Sequence, residues 1–179
     1  MRAGPGGAPA RVGSVDPAPP LRGLPPVIAP HSRLLILGSF PGEASLAAGH
    51  YYAHPRNLFW PILGQVLDEP LDEWPFERRY EAVLAAGLAI WDVWGACRRE
   101  GSLDSAIREG AANDFVRLHR LAPRLGAVLF NGQAAGRFEP RFRDAGYRTR
   151  VMPSTSPAYA SMPRERKLAS WREAIESLR

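Results

Sequence analysis

Cysteine occurs once in this 179-residue chain, at Cys97, and lysine once, at Lys167. A single thiol excludes an intramolecular disulfide, a protein-bound iron–sulfur cluster and a Cys-rich zinc site, each of which needs several thiolates. It also fits a reducing compartment, and a cytoplasmic location is expected. Histidine is sparse as well: His31, His50, His54 and His119 form no HExxH or comparable cluster, so no metal site is expected. No cofactor is expected either. No apolar run nears the ~18 residues of a membrane span, and the N-terminus lacks the apolar stretch of a signal peptide. The GxxxxGK[ST] phosphate loop, the GxGxxG dinucleotide turn and the GxSxG nucleophile elbow are all missing. Cys97 stands in no thiol-enzyme context and reads as a small buried residue.

What remains is an ordinary globular composition, with 45% hydrophobic and 23% charged residues. The length suits one domain with an extension. Lys plus Arg number 23 against 18 Asp plus Glu, a formal net charge of +5. All of these cations but Lys167 are arginine, which suits bidentate phosphate contacts, although a GC-rich genome would favour arginine codons equally well. Residues 1–30 hold 8 of the 18 prolines with no hydrophobic periodicity. Residues 1–26 are therefore expected to form a disordered Pro/Gly/Ala-rich arm, removable without harm to the fold, ahead of a domain spanning 27–179.

From His31 the texture changes. Arg33-Leu-Leu-Ile-Leu-Gly-Ser39 is a short continuous apolar run, the pattern of a strand buried on both faces. Leu88–Trp94, Ala127–Gly132 and Tyr147–Met152 look similar, and helical patterns fall at about 55–67, 76–87, 113–124 and 133–145. This alternation predicts an α/β fold with a mainly parallel four-stranded central sheet. A last helix is expected from Pro163, with Leu168, Trp171, Ile175 and Leu178 on one face. Ligands of such sheets bind at the carboxyl ends of the strands, here just after residues 39, 94, 132 and 152.

Those positions carry the informative motifs. Gly38-Ser-Phe-Pro-Gly42 precedes Tyr51-Tyr-Ala-His-Pro-Arg-Asn-Leu-Phe-Trp60; downstream come Trp91-Asp-Val93, Arg99-Glu-Gly-Ser-Leu-Asp-Ser105, Asn113-Asp-Phe115, Phe130-Asn-Gly132 and Pro153-Ser-Thr-Ser-Pro-Ala158. The combination, spanning about residue 27 to the C-terminus, resembles the uracil-DNA glycosylase superfamily. It is similar to the mismatch-specific branch, and more closely to the hypoxanthine-DNA glycosylase branch. The resemblance implies a three-layer α/β sandwich and a monomeric, metal-free enzyme. Its partner would be DNA containing deaminated bases, from which it hydrolyses hypoxanthine first. A uracil or xanthine glycosylase, and a non-catalytic nucleic-acid-binding module, are the rival readings.

The resemblance also implies roles. In the mismatch-specific branch the third residue of the G-x-N-P-G turn positions water; here it is Phe40, so the catalytic side chains implied are Asn57 and Asn131. An amide suits that chemistry because its oxygen orients water and its NH2 donates. The competing readings are a helix-start residue for Asn57 and a strand-end turn residue for Asn131. The backbone amides of Phe40 and Gly42 are candidates for the base edge, although Gly42 would serve equally as a residue of unusual dihedrals. Tyr52 takes the place of the aromatic that stacks on the extruded base, against the alternative of a core ring. Ser154, Ser156 and Pro157 are the implied phosphate-contact loop, with Tyr159 as its wedge or, alternatively, packed beside Trp171. Met152 stands where the classical uracil enzymes carry histidine.

Overall fold

The computed structural model describes residues 19–178. Four parallel strands form the central sheet: β2 (Leu34–Gly38), β3 (Leu88–Asp92), β6 (Ala127–Asn131) and β7 (Arg148–Met152), in the order β3-β2-β6-β7. Every residue of β2 and β3 is buried, the expected signature of strands covered on both faces. Helices α2 (Phe59–Leu67), α3 (Phe76–Ala85), α6 (Glu139–Asp144) and α7 (Arg164–Leu178) supply the covering layers, with the short α1 (Glu43–Ala48), α4 (Leu118–Leu121) and α5 (Gln133–Gly136) between them. On α7, Trp171 and Ile175 enter the core, and Leu168 and Leu178 pack against it.

The strands end in register. Gly38 lies opposite Asp92, and Asn131 opposite Met152, so the loops after all four strands meet along one edge. The chain winds from β2 to β3 in one direction and returns to place β6 on the other flank of β2. This is a topological switch point, where open α/β sheets bind ligands.

Three sequence expectations change. The run Leu88–Trp94 is not one strand: β3 stops at Asp92, and Trp94 begins β4 (Trp94–Arg98) in a second, antiparallel sheet with β5 (Arg108–Ala112) and β1 (Leu21–Arg22). Consequently Gly95-Ala-Cys97 is strand rather than loop, with Cys97 fully buried within it. Two expected helices are shorter or broken. Residues 113–124 form only a 3-10 turn, in which the Asp114 side chain accepts from the Val116 amide, followed by the single turn α4. Residues 133–145 split into α5 and α6.

The domain boundary also moves. The expected arm, 1–26, lies outside the described residues over 1–18, but residues 19–26 are not a free tail. Leu21 pairs with Cys97 in β1–β4, the Gly23 amide donates to the Gly95 carbonyl at 2.8 Å, and Leu24 packs on the core. The buried Tyr51 hydroxyl donates to the carbonyls of Leu24 and Pro25 at 3.1 and 2.9 Å. A proline-rich segment needs no periodicity to dock in this way, because extended backbone edges and carbonyls make the contacts.

Candidate active site

At the carboxyl edge lies a cavity of about 140 Å³. Its walls come from the turn after β2 (Phe40, Gly42), the segment before α2 (Tyr52, His54, Asn57), the end of β3 (Asp92), the β4–β5 connection (Ser102, Asp104), Asn131, and the loop after β7 (Ser154–Pro157). Clefts for drug-sized ligands run to roughly 300–1,000 Å³, so this one is sized for a single heterocycle.

Thr155, 1% exposed, ties three of these walls together. Its amide donates to Asn131 Oδ1 at 3.0 Å, its hydroxyl accepts from Asn131 Nδ2 at 2.9 Å, and its carbonyl accepts from the Leu58 amide at 3.0 Å. The last bond fixes the start of α2 and hence Asn57, whose Oδ1 accepts from the Phe59 amide at 3.0 Å. One lone pair of each asparagine oxygen is thus committed to backbone, leaving the second for a ligand or water. The approach of the post-β7 loop also requires Gly132: its φ is +95°, and a Cβ there would sit 3.0 Å from Ser154 Cβ.

Tyr52 is stacked face to face on Phe59, with ring centroids 3.8 Å apart and planes inclined by 19°. Its hydroxyl is buried without a hydrogen-bond partner. Burial pushes the phenol far above its ordinary pKa; Asp92 adds to the shift and the Asn131 amide opposes it. Asp92, 4% exposed, has its Oδ2 equally without a partner. Desolvation raises its pKa to about 8, with Asp104 adding to the rise and Arg99 opposing it. Asp104 itself is exposed and accepts from the Ser39 hydroxyl. Gly38 is what leaves room here, since a Cβ would fall 2.3 Å from Asp92 Oδ1 and 3.1 Å from Tyr52 Oη.

A family model described as the uracil DNA glycosylase superfamily matches residues 25–179. The chain belongs to the uracil DNA glycosylase superfamily. A hypoxanthine DNA glycosylase of Methanosarcina barkeri is 40% identical over 155 residues, covering 87% of this chain and 98% of that protein. Its namesake from Methanosarcina acetivorans is 38% identical over 154 residues, covering 86% and 96%. A solution NMR structure of a candidate uracil DNA glycosylase from M. acetivorans superposes with a TM-score of 0.80 at 36% identity, covering 88% of this chain and 97% of that one.

Within this superfamily fold the cavity gathers Phe40, Gly42, Tyr52, Asn57, Asn131, Ser154, Ser156 and Pro157, all from the sequence motifs. Gly42 is not there for unusual dihedrals: its φ of −67° and ψ of 170° are open to any residue. The Ser154 and Ser156 hydroxyls accept from the amides of Ser156 and Ala158, at 3.1 and 3.2 Å, and so shape their own loop. Tyr159 lies outside the cavity lining, 39% exposed, two residues beyond Pro157. Its carbonyl accepts from Lys167 Nζ at 2.5 Å, and that nitrogen stands 4.8 Å from the centre of its ring. The indole of Trp171 instead donates to the Pro153 carbonyl at 3.0 Å.

Sequence reasoning assigned no role to Asp92, Asp104, Ser102 or Thr155, all of which line the cavity. The signal for Asp92 was a lone carboxylate closing an otherwise apolar strand at the ligand-binding edge. Thr155 gave none, because its clamp joins residues 24 and 97 positions apart in the chain.

Proposed function

We propose that the chain is a monofunctional DNA glycosylase that extrudes a deaminated base, hypoxanthine first, and hydrolyses its N-glycosidic bond. The observation that carries this reading is the convergence of Asn57, Asn131 and Tyr52 on one base-sized cavity at the switch point of the sheet. Chemistry on a base requires removing it from the stack and gripping it. Tyr52, backed by Phe59, offers a ring for stacking, and the turn Phe40–Gly42 offers backbone amides. The sugar left behind develops oxocarbenium character, so a positioned water matters more than a strong nucleophile. Asn57 and Asn131 have the free lone pairs to hold that water. Ser154 and Ser156 serve the flanking phosphates with their hydroxyl protons, and Tyr159 is placed to fill the gap left by the base.

The relatives that cover nearly their whole length in this chain carry the hypoxanthine DNA glycosylase name, which supports hypoxanthine over uracil. Among the described residues Lys167, the chain's one lysine, offers no Schiff-base amine to the cavity, because it is buried and bonded to the Tyr159 carbonyl outside it. The test is a duplex oligonucleotide containing deoxyinosine. After incubation with the protein the strand should become cleavable by alkali but stay intact without it. Matched uracil and xanthine substrates should react more slowly, and an inosine strand that stays alkali-stable would refute the assignment.

A further inference from the structure

The two asparagines account for the water, and Tyr52 and the turn amides for gripping the base, but none of them supplies a proton to the departing base. Hypoxanthine leaving without a proton carries its negative charge into the cavity. Supplying a proton at a ring nitrogen is worth roughly 100- to 10,000-fold in such steps. Among the cavity-lining side chains, Asp92 has the geometry for that task. It closes β3 opposite Gly38, its carboxyl is nearly fully buried, and Oδ2 has no partner in the protein. The Tyr52 hydroxyl, also buried without a hydrogen-bond partner, lies over Gly38 on the side of Asp92 Oδ1, close to the Asn131 amide. Buried polar groups are seldom left so unless water, an ion, a ligand or a catalytic role accounts for them.

We propose that Asp92 is the general acid that protonates the departing purine. The inference rests on the glycosylase reading and adds a catalytic residue to it. In the step, the C1′–N9 bond breaks and its electron pair passes to the purine. The Asp92 proton moves to N3 or N7, and the base leaves neutral. Water oxygen bonds to C1′, and the proton it sheds passes through solvent to restore the Asp92 acid. The groups facing Asp92 are consistent with a carboxyl kept protonated near neutral pH. Tyr51 and Tyr52 are uncharged, and Asp104 from the β4–β5 connection is a like charge. Arg99 is the opposing cation, but it places Nη2 on the Pro41 carbonyl at 2.5 Å and its guanidinium 5.1 Å from the centre of the Phe40 ring.

The experiment is single-turnover release of hypoxanthine from duplex DNA by the wild type and Asp92→Asn, from about pH 6 to about pH 10. Asparagine keeps the size and a hydrogen-bond donor but cannot transfer a proton. Its rate at neutral pH should fall ~100-fold or more, and the decline of the wild-type rate above pH ~8 should disappear. Substrates carrying 7-deaza- or 3-deazahypoxanthine locate the acceptor: on the analogue lacking it, the wild type should slow to the level of the variant, and the variant should lose little more. Affinity for a duplex bearing the non-cleavable 2′-fluoro analogue should stay within a few-fold. Asp92→Asn rates within a few-fold of wild type, or losses that multiply on both analogues, would overturn the acid while leaving the glycosylase intact. A wild type that released no hypoxanthine would overturn both.

Discussion

Replacing Asp92 by asparagine should stabilise the folded protein above acidic pH, and by more as the pH rises. The carboxyl is protonated more readily in the folded chain, with a pKa of about 8, than at its ordinary value of 3.8. Between those values the native state binds more protons than the unfolded state, so stability is lost as pH climbs through the window and levels off above it. The gap is about four pKa units, and at about 1.4 kcal/mol per unit the ionised wild type carries a penalty on the order of 5 kcal/mol above pH 8. Asparagine removes that charge but leaves a buried amide incompletely bonded, which costs about 1–3 kcal/mol. The net gain should be near zero or negative at pH ~4 and reach about 2–4 kcal/mol at pH ~9. Urea unfolding followed by tryptophan fluorescence at several pH values measures it, and titrations of groups not coupled to Asp92 cancel in the difference between the two proteins. A difference that stays constant with pH would refute the reasoning, because it would mean Asp92 titrates alike in both states.

Asn57→Ala should lower single-turnover excision by ~100-fold or more, with DNA affinity changed only a few-fold, since it removes one preorganised polar contact; excision near the wild-type rate would return Asn57 to its helix-start role. Asn131→Ala removes both bonds to Thr155 and should therefore cost about 1–3 kcal/mol of folding stability for the unpaired Thr155 amide, seen as a lower melting temperature, and slow excision as well; an unchanged melting temperature would contradict the clamp. Deleting residues 1–26 should destabilise the protein measurably where deleting 1–18 does not remove a described contact, because the longer cut strips β1 and both acceptors of the Tyr51 hydroxyl; equal unfolding midpoints for the two truncations would refute this. Tyr159→Ala should slow excision from duplex DNA more than from single strands, where there is little stack to break; equal losses on both would place the wedge elsewhere.

The central sheet was legible because strands buried on both faces must be continuously apolar, and Leu34–Leu37 and Ala127–Phe130 are. The second sheet was not. All five residues of β5 are exposed, so Arg-Glu-Gly-Ala-Ala carries no hydrophobic pattern, and its pairing with β4 is irregular. β1 hid for a related reason, since a two-residue strand in a proline-rich segment is held through its backbone. At the site, the motif asparagines and Tyr52 could be named from the sequence, but their mutual placement could not. It depends on Thr155 and on the space over Gly38, and a glycine or threonine in a string does not disclose what lies across from it. Asp92 was visible only as a letter in Trp91-Asp-Val93. Its chemistry comes from desolvation, which is a property of the packed state.

The Thr155 clamp makes the cavity an all-or-nothing object in time as well as in space. Because one residue holds the end of β6, the loop after β7 and the entry to α2, a fluctuation that lifts the loop releases Asn131 and unseats Asn57 together. The amides of Leu58 and Thr155, nearly a hundred positions apart, should therefore exchange their hydrogens with solvent as one unit, at an opening free energy below that of the β2–β6 core. Ligand bound in the cavity should slow both by the same factor.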